Sequence, residues 1–232
     1  MKNNNLIALQ RKHFNTKEKR YDIDKMLYPP VHTILETNEI IKLLAKKKWT
    51  KIIDLGSGNG RLTIPLLKAG YKVTAVDISR KSLEELRSIS KKLKMSVKTV
   101  QNLKSAQNSE AVVGCDILHH VDLKVELERI YKKLQKGGII IFSEPNGFNP
   151  VWYLYIIYKG IWKAEKNIVY INYLHLGNVL NDIGYKNITI KGFGLFPRSI
   201  FRNEMLCKIN DVLGNLPILK LFAYRFIIFA SK

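Results

Sequence analysis

Asp54-Leu55-Gly56-Ser57-Gly58-Asn59-Gly60 stands directly after the apolar run Lys51-Ile52-Ile53. Residues 51–55 read as a buried strand, and residues 61–69 as a helix that stops at Gly70. The glycines therefore fall at a strand-to-helix turn. There they let the backbone bend tightly and approach a ligand, while the helix behind them offers unpaired N–H groups. The spacing is G-x-G-x-G; the dinucleotide fingerprint G-x-G-x-x-G needs a glycine at position 61, which is Arg61. No G-K-[ST] follows, which excludes the nucleotide triphosphate loop. The next strand, residues 72–77 (KVTAVD), ends in Asp77, 17 residues beyond Gly60. An acid there suits a carboxylate accepting from both hydroxyls of a ribose.

Outward from this turn, residues 31–47 space their apolar positions at three and four, the pattern of an amphipathic helix. Ser79 reads as the N-cap of a helix to residue 93. Residues 96–101 and 111–115 read as a third and a fourth strand. Asp122 caps a helix running to 134 and closed by Gly137-Gly138, before a fifth strand at 139–143. Strands alternating with helices over short connections imply right-handed crossovers and a parallel sheet covered on both faces. After Glu144 comes turn chemistry, Pro145-Asn146-Gly147-Phe148-Asn149-Pro150, then an aromatic stretch at 151–162. Residues 175–183 read as a helix, and 187–192 and 223–230 as two last strands.

Residues 54–60 together with Asp77 resemble motifs I and II of the class I S-adenosylmethionine-dependent methyltransferases. Cys115-Asp116-Ile117-Leu118-His119-His120-Val121, then Leu134-Gln135-Lys136-Gly137-Gly138 and residues 139–142, are similar to their motifs IV to VI. The likeness is greatest to the small-molecule, methyltransferase type 11/12-like group, whose fourth strand ends in LHHV. It covers residues 31–145, and the final strand fits the family's antiparallel seventh strand. The resemblance implies an α/β, Rossmann-like three-layer sandwich. Its seven-stranded, mostly parallel sheet has the order 3-2-1-4-5-7-6, with the last strand antiparallel. It further implies one domain: an N-terminal lid at 1–48, a cofactor-binding core at 49–144, cap elements with the sixth strand at 145–222, and the final strand at 223–230.

The implied cofactor is S-adenosyl-L-methionine. Asp54 and the backbone of Gly56 and Gly58 would surround its methionine moiety, with Ser57 and Gly60 in the same loop. Asp77, with Ile78 beside it, would take the ribose, and the backbone around Gly114 and Cys115 would reach the amino group. The family commonly places an acid after the third strand to accept from the adenine N6. Here that loop reads Gln101-Asn102-Leu103, with no acid before Glu110, so the amide oxygen of Asn102 or a backbone carbonyl would take that place.

Methyl transfer from a sulfonium needs a positioned acceptor and excluded water, and an O–H acceptor also needs its proton removed. His119 and His120 follow the fourth strand at the carboxyl edge of the sheet, where such folds bind ligands. Two adjacent side chains do not point the same way, and His120 is chosen over His119 as the base or acceptor-orienting group. Glu144, ending the fifth strand, is a third catalytic candidate. Tyr21, Tyr28 and His32 belong to the expected lid.

Composition bounds the partners. The 232 residues carry 39 Lys+Arg against 19 Asp+Glu, a formal charge of +20. The excess is +6 over residues 1–50, +7 over 51–110, zero over 111–150 and +7 over 151–232, so no single basic block stands out. Cys115 and Cys207 are the two cysteines, which excludes a disulfide framework and a cysteine-based zinc cluster; no metal is expected. No apolar run reaches the roughly 18 residues of a spanning helix, and residues 1–12 lack a signal-type core. A soluble, cytoplasmic protein is expected, peripheral at the inner face of the membrane at most. Five aromatic residues in eleven positions from Trp152 suit an apolar pocket or a membrane interface. The favoured function is therefore O-methylation of a small-molecule or lipid-linked acceptor near an anionic membrane. Three readings stay open beside it: RNA, in particular tRNA, methylation, which the charge favours; N-methylation of an amine; and a non-catalytic cofactor-binding subunit.

Overall fold

Strand β1 (Lys51–Leu55) is exposed at Lys51 and buried from there on, as its composition requires. The computed structural model describes residues 28–46, 49–201 and 203–232. In it β1 pairs in parallel with β2 (Lys72–Val76) and β4 (Ser109–Cys115). β3 (Lys98–Val100) lies outside β2, and β5 (Leu134–Pro145) lies beside β4. β7 (Arg225–Ser231) runs antiparallel between β5 and β6 (Lys186–Phe193). The order is β3-β2-β1-β4-β5-β7-β6, the one the resemblance implied.

Side chains alternate across the sheet with a period of two and feed a core on each face. On one face Ile53, Leu55, Val112, Ile140 and Phe142 pack with Leu127 and Ile130 of α4 (Leu123–Lys133) and Leu176 and Leu180 of α7 (Tyr173–Ile183). On the other, Ile52, Ala111, Val113, Ile139 and Ile141 meet Ile40 and Leu44 of α1 (Val31–Leu44) and Leu66 of α2 (Thr63–Lys68). The caps are those the sequence indicates. Ser79 Oγ accepts from Ser82 N to open α3 (Arg80–Lys92), and Asp122 Oδ1 accepts from Val125 N to open α4.

Three features depart from the sequence expectation. Gly137-Gly138 does not close a helix: α4 ends at Lys133, and β5 begins at Leu134, which is buried and pairs with Ser109. The register then shifts to Ala111 opposite Ile139, and Gly137 at φ 73° absorbs the extra residues as an irregularity within the strand. α2 begins at Thr63, not at residue 61: the chain is still in turns at Arg61, whose side chain enters ion pairs described below. Third, α8 (Glu204–Gly214) occupies a stretch in which no helix was expected.

The aromatic stretch forms α5 (Pro150–Lys159) and the short α6 (Trp162–Glu165). Trp152 anchors α5: its ring stacks on Tyr224 at 4.4 Å and its Nε1 donates to Tyr224 O at 2.7 Å. Among the described residues no helix is long and apolar enough to cross a membrane.

β6 and α8 touch backbone to backbone, since a Cβ on Gly192 would lie 1.7 Å from Gly214 O. Gly192→Ala must push the two elements apart and is expected to cost about 1–3 kcal/mol, read as a lowered urea midpoint. An unchanged midpoint would contradict this packing.

Candidate active site

The glycine loop is held by the strand beside it. Gly56 N and Ser57 N both donate to Val76 O, at 2.8 and 3.1 Å, so the loop starts as a continuation of the β1–β2 pairing. Gly58 N donates to Asp77 Oδ2 and Ser79 N to Asp77 Oδ1, each at 2.8 Å. One carboxylate thus joins the loop to the entry of α3. Gly56, Gly58 and Gly60 all have positive φ, and a Cβ on Gly58 would meet nothing within 4 Å. That open space over bent backbone is a cradle for a ligand.

The cradle also contains unsatisfied acceptors. Asp54 is buried; its Oδ2 accepts from Thr63 Oγ1 at 2.5 Å, while Oδ1 has no hydrogen-bond partner among the described residues. Ser57 Oγ is buried in the same condition. Burial pushes the Asp54 carboxyl up to about 7; the Thr63 hydrogen bond opposes the rise and the nearby Asp77 charge adds to it. An orphaned carboxylate oxygen inside a glycine cradle fits a cationic ligand, and S-adenosyl-L-methionine carries a sulfonium and an ammonium.

The other expected cofactor residues are distributed around this loop. Ile78 is half-buried after Asp77. A Cβ on Gly114 would lie 2.7 Å from Leu55 O, so close packing of β4 on β1 by itself requires glycine there. Cys115 stands opposite Ser143 in the β4–β5 register. Asn102 acts as a turn cap, its Oδ1 accepting from Ser105 N and Ser105 Oγ, both at 2.9 Å. Both lone pairs of that oxygen are then committed. Tyr28 is exposed, His32 is half-buried in α1, and Tyr21 lies outside the described residues.

His119 and His120 sit on a single 3₁₀ turn, Leu118–His120, just beyond β4. A Cβ on Gly56 would lie 2.7 Å from Ile117 Cγ1, so this turn abuts the cradle. Glu144 is fully buried; its Oε1 accepts from Ile117 N at 2.8 Å and Leu118 N at 2.9 Å, and its Oε2 lies 2.7 Å from His119 Nδ1. Glu144 therefore braces the histidine turn. On the far side, His119 Nε2 lies 3.1 Å from Glu165 Oε2 of α6 and His120 Nε2 4.0 Å from the same oxygen, so the two adjacent rings, 4.0 Å apart, face one carboxylate, contrary to the expectation that they point apart. Burial by itself would lower the His119 pKa, but its hydrogen bonds to the two carboxylates outweigh burial and raise it to about 9.

Sequence reasoning missed Glu165, although it is the sole acid between Glu144 and Asp182. It also missed a closed ring of four charges. Arg61 bridges Glu36 and Asp116, and Arg225 bridges the same two carboxylates, at 3.0 Å from Glu36 Oε1 and 2.8 Å from Asp116 Oδ1. Burial works against the charged form of Glu36, yet Arg225 and Arg61 hold its carboxyl below the ordinary value. The ring ties α1 to the sheet edge beside the cradle.

Known proteins share this architecture. Residues 52–138 match the family described as a methyltransferase domain. The ubiquinone biosynthesis O-methyltransferase of Rickettsia canadensis (strain McKiel) is 26% identical over 166 residues, covering 67% of each chain. That of Rickettsia typhi (strain ATCC VR-144 / Wilmington) is 24% identical over 186 residues, 77% of this chain and 72% of the other. A SAM-dependent methyltransferase from Archaeoglobus fulgidus superposes with a TM-score of 0.62 at 18% identity, over 86% of this chain and 94% of that one. Magnesium protoporphyrin IX methyltransferase from Synechocystis PCC 6803, solved with bound SAM, gives 0.59 at 18% identity over 98% and 97%. At such identities the two structures bear on the fold.

The raised Asp54 pKa has a definite sign. The folded group holds its proton above the ordinary 3.8, so its contribution to stability is full in acid and is lost as pH rises through about 7. A cationic ligand prefers the ionised carboxylate, so affinity for S-adenosylmethionine is expected to increase as pH climbs through about 7. Calorimetric titrations on either side of that pH should show the rise in the wild type and lose it in Asp54→Asn. A wild-type affinity independent of pH would contradict the placement of Asp54 against the cofactor.

Proposed function

We propose that this chain acts as a class I S-adenosylmethionine-dependent methyltransferase and methylates a hydroxyl oxygen of a small, largely apolar or lipid-linked molecule. The observation that supports this reading best is the placement of the His119–His120 turn. It lies between the glycine cradle and the aromatic cap, one side chain (Ile117) away from Gly56. The similarity to proteins named ubiquinone biosynthesis O-methyltransferases points to the same class of acceptor.

The cofactor supplies a methyl group on sulfur, activated for in-line displacement. The chain's part is geometry. Asp77 and the glycine loop orient the cofactor, with Asp54 beside the methionine end. The His119–His120 turn faces the acceptor side of the cradle, and Glu144 is a positioning residue that fixes the turn through Ile117 N, Leu118 N and His119 Nδ1. α6 covers the histidine turn through Glu165.

A second feature bears on where the acceptor comes from. Leu154, Ile157 and Tyr158 project from α5 at 68%, 69% and 81% exposure, and Lys159 lies over the Tyr158 ring at 5.2 Å. Apolar and aromatic groups beside a lysine, on a chain of net charge +20, suit the interface of an anionic bilayer. We infer peripheral contact with such a surface, from which a lipid-linked acceptor enters beneath the cap.

The direct test incubates the protein with methyl-labelled S-adenosylmethionine and separate small-molecule, lipid and RNA extracts. Label in an O-methyl product of the small-molecule or lipid fraction is expected; label in RNA, or on nitrogen, would overturn the reading. His120→Ala should lower turnover about 10²–10⁴-fold at unchanged cofactor affinity, and near-normal turnover would remove His120 from the acceptor site. The protein should float with vesicles containing phosphatidylglycerol and lose that binding in Ile157→Glu/Tyr158→Glu. Equal flotation of wild type and variant would contradict α5 as the contact.

A further inference from the structure

We propose that His119, His120 and Glu165 form a binding site for one divalent transition-metal ion, of which Zn²⁺ is the representative. The three side chains come from two places 45 residues apart, the turn after β4 and the end of α6. All three are buried, and their ligand atoms lie within 4.8 Å of one another. Among the described residues no other set of three histidine, cysteine or acidic groups converges in this way.

The distances are close to those a bound metal sets. Zinc held tetrahedrally at about 2.0–2.1 Å sets its ligand atoms about 3.3 Å apart. Here His119 Nε2 and His120 Nε2 lie 3.1 and 4.0 Å from Glu165 Oε2, so one of the three ligand pairs is near that separation and a second must close by under an ångström. The donor set favours the class of metal as well. Two imidazoles and one carboxylate suit Zn²⁺ and its first-row neighbours, whereas Mg²⁺ and Ca²⁺ seek oxygen ligands.

The surroundings supply what a metal-bound histidine requires. His119 Nδ1 is hydrogen-bonded at 2.7 Å to Glu144 Oε2, and Glu144 is held in turn by Ile117 N and Leu118 N. A carboxylate on the far ring nitrogen fixes the tautomer that presents Nε2 to a metal. The chemistry balances: the cation takes the place of the proton on His119 Nε2, which is released to solvent. Three protein ligands leave a coordination position open. That this position receives the acceptor oxygen rests on the O-methylation reading; the binding of the ion does not.

The test uses the full chain, stripped with a chelator and titrated with Zn²⁺ alone, without cofactor or acceptor, so that it stands whether or not the methylation reading does. Calorimetry and elemental analysis are expected to show one ion per chain. Glu165→Gln, which changes only the cap ligand, should weaken Zn²⁺ binding at least about 100-fold, and Glu144→Gln about 10–100-fold. Melting without metal confirms that each variant is folded. The visible spectrum of the Co²⁺-loaded wild type against Glu165→Gln gives the same comparison. Zn²⁺ bound equally by wild type and Glu165→Gln, or Mg²⁺ bound in preference to Zn²⁺, would overturn the proposal. So would a wild type that takes up no ion, leaving His119 as an imidazolium clasped between two carboxylates.

Discussion

Two hydrogen bonds to a single carboxylate, Gly58 N to Asp77 Oδ2 and Ser79 N to Asp77 Oδ1, set the geometry of the glycine loop, on which the proposed cofactor site depends. They join the turn after β1 to the turn after β2 and present both at the carboxyl edge of the sheet. Burial pushes the Asp77 carboxyl upward, and the bonds from Ser79 and Gly58 offset part of that cost. The loop can bend to reach Asp77 because Gly56, Gly58 and Gly60 adopt positive φ, which side chains disfavour. Sheet register, glycine conformation and the carboxylate therefore act as one unit. A carboxylate has about four acceptor positions, so Asp77 can brace the loop and still receive ribose hydroxyls.

Around this unit, buried charge fastens the covering elements to the sheet. The ring of Glu36, Arg61, Asp116 and Arg225 holds α1 against β4, β5 and β7, and Ser143 adds bonds to both Glu36 and Arg225. Each charge in the ring has two opposite neighbours, the arrangement that makes burying ions tolerable. On the cap side, Glu165 meets His119, which Glu144 holds from behind. Removing one member of either cluster leaves the rest buried and uncompensated, a larger loss than the pair itself is worth.

Much of this fold is legible in the sequence because its signals are local. β1, β2 and β4 announce themselves by apolar runs, the α3 and α4 entries by Ser79 and Asp122, and the loop by its glycines and Asp77. What escaped depends on tertiary context. Gly137-Gly138 carries the same local signal whether it closes a helix or bends a strand; the pairing of Ser109 with Leu134 decides the matter. Asn102 is spent on capping its own turn, a use invisible until Ser105 is placed. Glu165 and the Arg61–Arg225 ring unite residues 45 and 164 positions apart, and no periodicity encodes such meetings.

The central claim is that Asp77 and the glycine loop form the S-adenosylmethionine site. Calorimetric titration of the cofactor into wild type and Asp77→Ala, with circular dichroism confirming the fold, tests it most directly. Losing charge-assisted acceptance of the ribose hydroxyls should cost about 1.5–3 kcal/mol, roughly a 10- to 150-fold weaker affinity. Unchanged affinity in a folded Asp77→Ala protein would contradict the account.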